Sequence, residues 1–257
     1  MAMKITAFGR RWTIRWQWAL VSLAASALLA SLSMWQLQRA TEKTQTLARI
    51  AAWQAQGAVG LTRLAHLVQA GVGAGEGAVD GLQVDFEARW LAPAVWLIDN
   101  RIVDGRAGYD VLIAVADRSD PRAAGLAVLL NLGWIEAPAA RDVLPLPAIP
   151  TQLRVQGIFR TDVGGLLLGT NLEDRGSWPM RIQQVDVDAL SPLVPVALVR
   201  GLVHQQQGSP FHIHYRPVVL PAERHRAYAL QWALLALAVI VVALAAGQCK
   251  ERPHEQP

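Results

Sequence analysis

Two long stretches without a charged side chain dominate the pattern of apolar and polar positions, one near each end of the chain. The first covers residues 16–38 and the second residues 227–249, and a basic residue stands on both sides of each. A helix rises about 1.5 Å per residue, so either stretch could extend roughly 34 Å, against a bilayer hydrocarbon core of about 30 Å. The pattern therefore predicts two transmembrane α-helices.

The first stretch also has some features of a cleaved signal peptide. These are a basic start, an apolar centre and a weak small-x-small site at residues 31–33. Its apolar part is long, however, and it continues directly into Met34, Trp35 and Gln36. We therefore expect an anchor that is not cleaved.

Between these stretches the apolar positions first follow a helix and then alternate with polar ones. The spacing at 37–56 predicts a helix that continues away from the membrane. From residue 81 onward the period changes to two, which is typical of half-buried strands. Strands are predicted at 84–90, 95–102, 109–115, 126–135, 153–159, 166–168, 181–187 and 211–215. The expected fold is a mostly β (α+β) domain flanked by two transmembrane α-helices, with a barrel as one arrangement of so many short strands.

Charge gives these segments an orientation. The chain has 53% hydrophobic and only 17% charged residues, whereas soluble domains contain about 25% charged residues. The segment before the first stretch contains basic residues and no acidic one. Such a segment stays on the cytoplasmic side, and two spans return the C-terminus to that side. We predict a cytoplasmic N-terminus at 1–15, transmembrane helices at 16–38 and 227–249, an extracytoplasmic domain at 39–226 and a cytoplasmic tail at 250–257.

The sequence pI of about 9.7 reflects this N-terminal segment, because basic and acidic residues balance in the central domain. No nucleic-acid interface is therefore expected. The single cysteine, Cys249, leaves the central domain without a disulfide or a thiolate site. The common catalytic motifs G-x-S-x-G, H-E-x-x-H, the P-loop and C-x-x-C are absent as well. We expect no enzyme, although a membrane-tethered enzyme with paired carboxylates stays open.

The histidines are the remaining candidates for chemistry. His212 and His214 lie two residues apart on the predicted strand 211–215, so their imidazoles would share one face and could bind a metal. The alternative is an exposed polar face beside a buried aromatic one. His66 and His204 have no identifiable partner, and we expect both at the surface.

His225 lies one helical turn before Tyr228 and two turns before Trp232, so all three share one face near the predicted membrane boundary. A neutral imidazole there could bind haem iron as an axial ligand, with the aromatic rings packed against the macrocycle. Arg224 or Arg226 could pair with a haem propionate, since guanidinium binds carboxylate in a two-pronged geometry. The alternative is a polar residue at the water interface.

Three short motifs follow one another along the chain: W-Q-x-x-R at 35–39, N-x-G-W at 131–134 and H-x-x-Y-A-x-Q-W at 225–232. Their order, with two spans that flank one central domain, resembles the surfeit locus protein 1 family, the cytochrome oxidase assembly factors. The resemblance extends over nearly the whole chain. It departs at two positions, because Leu132 stands where the family usually has arginine and Arg224 where it usually has asparagine.

The resemblance implies a non-enzymatic chaperone of the respiratory chain, a multi-pass protein of the bacterial inner membrane with its central domain in the periplasm. It implies haem a as the cofactor, His225 as the axial ligand of the haem iron, and delivery of haem a to the catalytic subunit of cytochrome c oxidase. Tyr228, Trp232 and Arg224 complete the expected cofactor-binding site. Haem a synthase and membrane lipid are further expected partners. The alternative is a haem-independent membrane scaffold for oxidase subunits.

Overall fold

The computed structural model describes residues 2–7, 10–71, 78–140, 143–161, 171–173, 176–216 and 220–247, with side chains from residue 16 onward. The chain forms two compact units. We call Met1–Thr46 together with Val218–Pro257 the terminal unit, and Leu47–Pro217 the central unit.

Helices lie towards both ends of the chain and most strands lie between them. In chain order the elements are β1 (Ala2–Ala7), β2 (Arg10–Arg15), α1 (Trp16–Ala55), α2 (Leu61–Gly71), β3 (Gln83–Val103), β4 (Arg106–Asp117), β5 (Leu126–Glu136), β6 (Gln152–Arg160), β7 (Leu172–Glu173), β8 (Met180–Ile182), α3 (Val187–Leu190), β9 (Ala197–Gln205) and α4 (Ala222–Gly247). Single 3₁₀ turns occur at Pro121–Ala123 and Ser191–Leu193.

Helices α1 and α4 are long and apolar enough to cross a membrane. They contain 40 and 26 residues, with mean hydropathies of 1.6 and 2.5 over an apolar window. Only 6% and 11% of these windows are buried, whereas the core helix of a soluble protein is mostly buried. Helix α1 runs without interruption through the first apolar stretch to Ala55, which confirms the helix predicted at 37–56.

Small residues recur every seven positions on α1 and α4, and all of them are buried or half-buried. These are Ser26, Ser33 and Ala40 on α1, and Ala222, Ala229 and Ala236 on α4. Ser33 Oγ donates to the Ala229 carbonyl at 2.8 Å, and Ser26 Oγ donates to the Ala236 carbonyl at 3.4 Å. Small side chains let two backbones approach closely, and a seven-residue spacing keeps one face of each helix on its neighbour. The two helices therefore pack antiparallel along one seam.

The strands of the central unit close on themselves. The sheet order is β4-β5-β9-β6-β3-β8-β7, and β3 also pairs with β4. Strands β3, β4, β5, β9 and β6 therefore form a closed ring of pairings, the arrangement of a small barrel. The β5–β9 and β3–β8 pairs are parallel, and the other pairs of this sheet are antiparallel.

This sheet is buried on both faces. Alternate residues of β4 belong to two separate apolar clusters, with Val111 and Ile113 in one cluster and Leu112 and Ala114 in the other. Burial on both faces explains why 109–115 and 126–135 are continuous apolar runs rather than alternating ones. Helix α2 adds its apolar face to the first cluster through Leu61, Leu64, Ala65 and Val68.

Most predicted strands are present. Strands 109–115, 126–135 and 153–159 are confirmed. Strands 84–90 and 95–102 are halves of the single strand β3, whose pairing with β4 shifts register between Trp90 and Val95. Pro93 lies in this shift, where its missing N–H interrupts no pairing. The predicted strand 166–168 lies outside the described residues.

Other predictions of local structure were wrong. Of the strand predicted at 181–187, only the first residues pair, as part of β8, and Val187 begins a short helix capped by Asp186. No strand forms at 211–215, where a single bridge joins His212 to Trp134. Helix α2 and strand β9 were not predicted. The strand signal of β9 is interrupted by Gly201, which has a φ of +138°.

Candidate functional site

His225 lies near the N-terminal end of α4 and is turned towards α1. Its Nδ1 atom is 2.7 Å from Oε1 of Gln36, and its side chain is largely buried. Within the described ranges the Nε2 atom has no hydrogen-bond partner. The histidine therefore uses one ring nitrogen to contact α1 and keeps the other available for a ligand.

The remaining predicted site residues lie on the same helix as His225. Tyr228 is 44% exposed, Trp232 is half-buried and the Arg224 side chain is exposed. Arg224 makes no ion pair with the described residues, whereas Arg226 approaches Glu223 at 4.0 Å and Thr44 Oγ1 at 3.4 Å. The helix thus places an imidazole, two aromatic rings and an exposed cation within about two turns.

The W-Q-x-x-R motif lies on α1 and supplies the partner of His225. Its glutamine is Gln36. The guanidinium of Arg39 lies 5.8 Å from the ring centre of Trp35, and its Nη1 atom donates to Glu42 Oε2 at 2.8 Å. A cation over an indole face is attracted by the ring quadrupole. In this motif Trp35 and Arg39 therefore pack against each other, and Gln36 is directed towards α4.

The N-x-G-W motif has a structural role in the central unit. Asn131 donates from Nδ2 to Asp110 Oδ2 at 3.1 Å and accepts from the Gly133 backbone N at 2.8 Å. Gly133 has a φ of +117°, and a Cβ atom there would lie 2.6 Å from the His212 carbonyl oxygen. Trp134 exchanges two backbone hydrogen bonds with His212, at 2.8 and 3.1 Å. We call residues 209–215, which the motif holds, the strap.

Asp110 is the buried acceptor that fastens the strap. His214 Nε2 lies 2.6 Å from Asp110 Oδ1, and Arg101 Nε lies 3.4 Å from Oδ2. Burial by itself would raise the pKa of Asp110. The hydrogen bond from His214, the charges of His214 and Arg101, and the hydrogen bond from Asn131 outweigh burial and lower that pKa below its ordinary value.

The arrangement that a metal site at His212 and His214 would need is not present. The two side chains do not share a strand face, because His214 is bound to Asp110 while the His212 ring meets the Trp134 ring edge-on at 6.5 Å. Among the described residues, no group of three or more His, Cys, Asp or Glu side chains could hold a metal ion.

His204 also lies elsewhere than expected. Instead of facing solvent, its ring stacks on Tyr215 at 3.6 Å with an interplanar angle of 5°, and its Nδ1 atom is buried without a hydrogen-bond partner. Burial, together with the nearby charges of Arg160 and Arg101, lowers the pKa of His204 to about 3. No local sequence signal marks this contact, which joins β9 to the strap. His66 is exposed, as predicted.

A large apolar groove lies between α1 and α4, away from His225. Its volume is about 740 Å³, and its lining includes Ser22, Leu29, Leu235 and Val239. None of the predicted cofactor-binding residues lines it. The groove is therefore a separate feature of the apolar segments.

These features define a class of protein: a small closed β domain whose chain is flanked by two apolar helices that pack through a histidine-glutamine contact. The SURF1 family model matches residues 23–237, which include all three motifs. The chain therefore belongs to the SURF1 family, as its resemblance predicted. No curated protein matched the chain. The family is one of assembly factors and not a known class of enzyme, and membership supports a role in cytochrome oxidase assembly.

Proposed function

We propose that this protein binds haem a through His225 and helps to insert it into the catalytic subunit of cytochrome c oxidase. In this proposal, 16–38 and 227–249 are transmembrane segments of the bacterial inner membrane. Residues 1–15 and 250–257 are cytoplasmic, and 39–226 lie in the periplasm. Haem a synthase is the partner from which haem a would be received.

The proposal rests on the imidazole of His225, in which only one ring nitrogen has a hydrogen-bond partner among the described residues. Nδ1 is 2.7 Å from Gln36 Oε1, and Nε2 has no hydrogen-bond partner in the described parts of the chain. A porphyrin supplies four nitrogen ligands itself, so a single histidine suffices as the protein ligand. The residues present therefore fit a haem better than a metal ion held by protein ligands alone.

The neighbours of His225 fit the rest of the macrocycle. Tyr228 and Trp232 offer aromatic surface on the same helix, and the guanidinium of Arg224, which makes no ion pair with the described residues, can bind a propionate. Bound haem would supply a redox-active iron. His225 would hold the iron, Tyr228 and Trp232 would pack against the macrocycle, and Arg224 would orient a propionate.

The position of His225 suits a carrier of an apolar cofactor. It lies at the start of an apolar helix with a mean hydropathy of 2.5. Moving a large apolar macrocycle through water is unfavourable, roughly in proportion to the area exposed. A site at the end of a membrane helix would keep the haem in contact with lipid during transfer.

The proposal is tested by the absorbance spectrum of the full-length protein, purified in mild detergent after co-expression with the enzymes of haem a synthesis. We expect a Soret band and haem a in the extract from the wild type. His225→Ala should lose the haem. His66→Ala removes an exposed histidine of the central unit and should keep it. A wild-type protein without haem, or a His225→Ala variant that retains it, would overturn the proposal.

The orientation has its own test. Alkaline phosphatase fused after Gly125 should be active, because this position would be periplasmic. The same enzyme fused after Pro257 should be inactive. The reverse pattern of activity would place the central unit in the cytoplasm.

A haem-independent scaffold for oxidase subunits is the second candidate. It is favoured by the burial of His225, which is only 9% exposed and already fastens α4 to α1. In that case His225→Ala would weaken helix packing without affecting any cofactor. Normal oxidase haem content in a His225→Ala strain, with a haem-free wild-type protein, would support the scaffold.

A further inference from the structure

The contact between Gln36 and His225 differs from the serine contacts of the same interface. Serine hydroxyls of the α1–α4 seam donate to backbone carbonyls, as Ser33 does to Ala229 at 2.8 Å. Such contacts join the helices, but they involve no histidine ring and so orient no ring nitrogen. At Gln36 the contact joins two side chains, and one of them can exist in two neutral proton arrangements.

With Oε1 of Gln36 facing the ring, the chemistry of the two atoms selects one of these arrangements. The atom of Gln36 that faces the ring is its carbonyl oxygen, which can only accept a hydrogen bond. Nδ1 therefore donates, and in the neutral form of the ring the proton is on Nδ1. The lone pair is then on Nε2, which is the nitrogen without a hydrogen-bond partner among the described residues.

We infer that Gln36 is a positioning residue that holds the proton of His225 on Nδ1 and so presents the Nε2 lone pair as a metal donor. The assignment of this tautomer follows from the geometry alone, whereas its role in binding haem iron rests on the proposed function. Metal-bound histidines commonly donate their second ring N–H to an oxygen acceptor, which fixes the ring and raises its basicity. Loss of such a partner typically weakens metal binding about 10–100-fold.

The first test needs no haem. The full-length protein, labelled with ¹⁵N in histidine and held haem-free in detergent, is studied by NMR, and the His225 signals are assigned by their loss in His225→Ala. We expect the wild type to carry its proton on Nδ1. Gln36→Leu, which keeps the side-chain bulk but has no acceptor, should populate both arrangements. Gln36→Glu restores an acceptor and should restore the Nδ1–H form.

Ser33→Ala is the matched control, because it removes a hydrogen bond of the same helix pair without touching the imidazole. It should leave the tautomer unchanged. A wild-type His225 protonated on Nε2 would mean that the amide of Gln36 is turned the other way and donates to Nδ1. That result, or a Gln36→Leu variant with an unchanged tautomer, would overturn the inference.

The second test titrates the same variants with haem a. We expect binding by Gln36→Leu to be about 10-fold weaker than wild type. Gln36→Glu should bind and should lower the midpoint potential of the iron, because a more basic imidazole favours the oxidised metal. If the wild type binds no haem but has the expected tautomer, the proposed function fails and the positioning role stands. If the wild type binds haem and Gln36→Leu binds it equally well with the same tautomer, the positioning role fails and the proposed function stands.

Discussion

In the central unit, His214 uses its Nε2 atom to contact Asp110 at 2.6 Å, and Asp110 also accepts from Asn131. In the terminal unit, His225 uses Nδ1 for Gln36 and has no second partner in the described residues. In one polar cluster a buried carboxylate is thus saturated by side chains of its own unit, whereas in the other a ring nitrogen has a single neutral partner. The difference teaches that a histidine bound to a buried charge serves the fold, because the carboxylate needs its partners, whereas a contact with a neutral amide oxygen orients the ring without forming an ion pair.

Removal of Asp110 should have the largest effect on stability. Asp110→Ala leaves His214, Arg101 and Asn131 without their shared acceptor. A hydrogen-bonding group that loses its partner inside the fold costs about 1–3 kcal/mol, and here three groups lose the same acceptor. We expect a loss of about 3 kcal/mol in the free energy of unfolding of the full chain, measured by tryptophan fluorescence in detergent with added urea.

A half-buried aspartate with an exposed ion-pair partner provides the control for this prediction. Asp85 makes a two-pronged contact with Arg154 at 2.8 and 3.0 Å, but the Arg154 side chain is exposed. Exposed pairs contribute about 0–1 kcal/mol, so Asp85→Ala should change stability by less than this amount. Asp110→Ala and Asp85→Ala should both retain haem under conditions in which the protein is folded. A folded Asp110→Ala variant without haem would show that the saturated cluster also serves the cofactor.

Gly133 of the N-x-G-W motif should have the next largest effect. Gly133→Ala adds a Cβ atom 2.6 Å from the His212 carbonyl oxygen, at a φ of +117° that side chains rarely adopt. We expect a loss of about 2–3 kcal/mol in unfolding free energy, since a strained backbone residue costs about 1–3 kcal/mol. Gly125 has a φ of +82° and open space around its Cβ position, so Gly125→Ala measures the cost of the conformation alone. If both variants lose the same amount of unfolding free energy, the strap moves to accommodate the added methyl group and the close contact adds no further cost.

The ring of His204, whose Nδ1 atom is buried, should make the central unit sensitive to mild acid. Its pKa is about 3 in the folded protein, against an ordinary value of 6.5. Between these two pH values the unfolded chain binds more protons than the folded chain, so stability falls as pH falls below about 6.5. One such group contributes about 2 kcal/mol of loss between pH 7 and pH 5.

This pH dependence can be assigned to His204 by substitution. His204→Phe keeps a flat ring to stack on Tyr215 but cannot be protonated. The slope of unfolding free energy against pH between 7 and 5 should be smaller in this variant than in the wild type. The pKa of Asp110 is also lowered, but its contribution is lost only below its ordinary pKa of 3.8 and so lies outside this window. Equal slopes in the two proteins would mean that His204 is protonated without opening the fold.

The sequence predicted what is local and periodic. The two apolar helices, the alternation at 84–90 and the continuous runs of β4 and β5 all follow from side-chain spacing. His225, Tyr228 and Trp232 fall on one helix, as the spacing requires.

What the sequence could not predict depends on contacts between distant residues. The strap has alternating polar and apolar residues, yet it has only a single bridge to Trp134 and never becomes a strand. The partner of His225 is Gln36, 189 positions away along the chain. The stack of His204 on Tyr215 depends likewise on the path of the strap, which no local pattern specifies.

Ser33 should give the smallest effect. Its hydroxyl donates to the Ala229 carbonyl across the seam, whereas that of Ser31 donates to the Ala27 carbonyl of its own helix, also at 2.8 Å. Side-chain hydrogen bonds between membrane helices contribute about 0.6 kcal/mol on average. The carbonyl of Ala229 also keeps its place in the helical ladder when the hydroxyl is lost. We therefore expect Ser33→Ala to lower the thermal midpoint of the full-length protein in detergent by a degree or two at most, and Ser31→Ala to leave it unchanged. Both variants should retain haem like the wild type, because neither touches Gln36 or His225. A Ser33→Ala variant that loses haem would mean that the position of His225 depends on the whole seam, and the distinction between packing contacts and ligand-positioning contacts in the terminal unit would no longer hold.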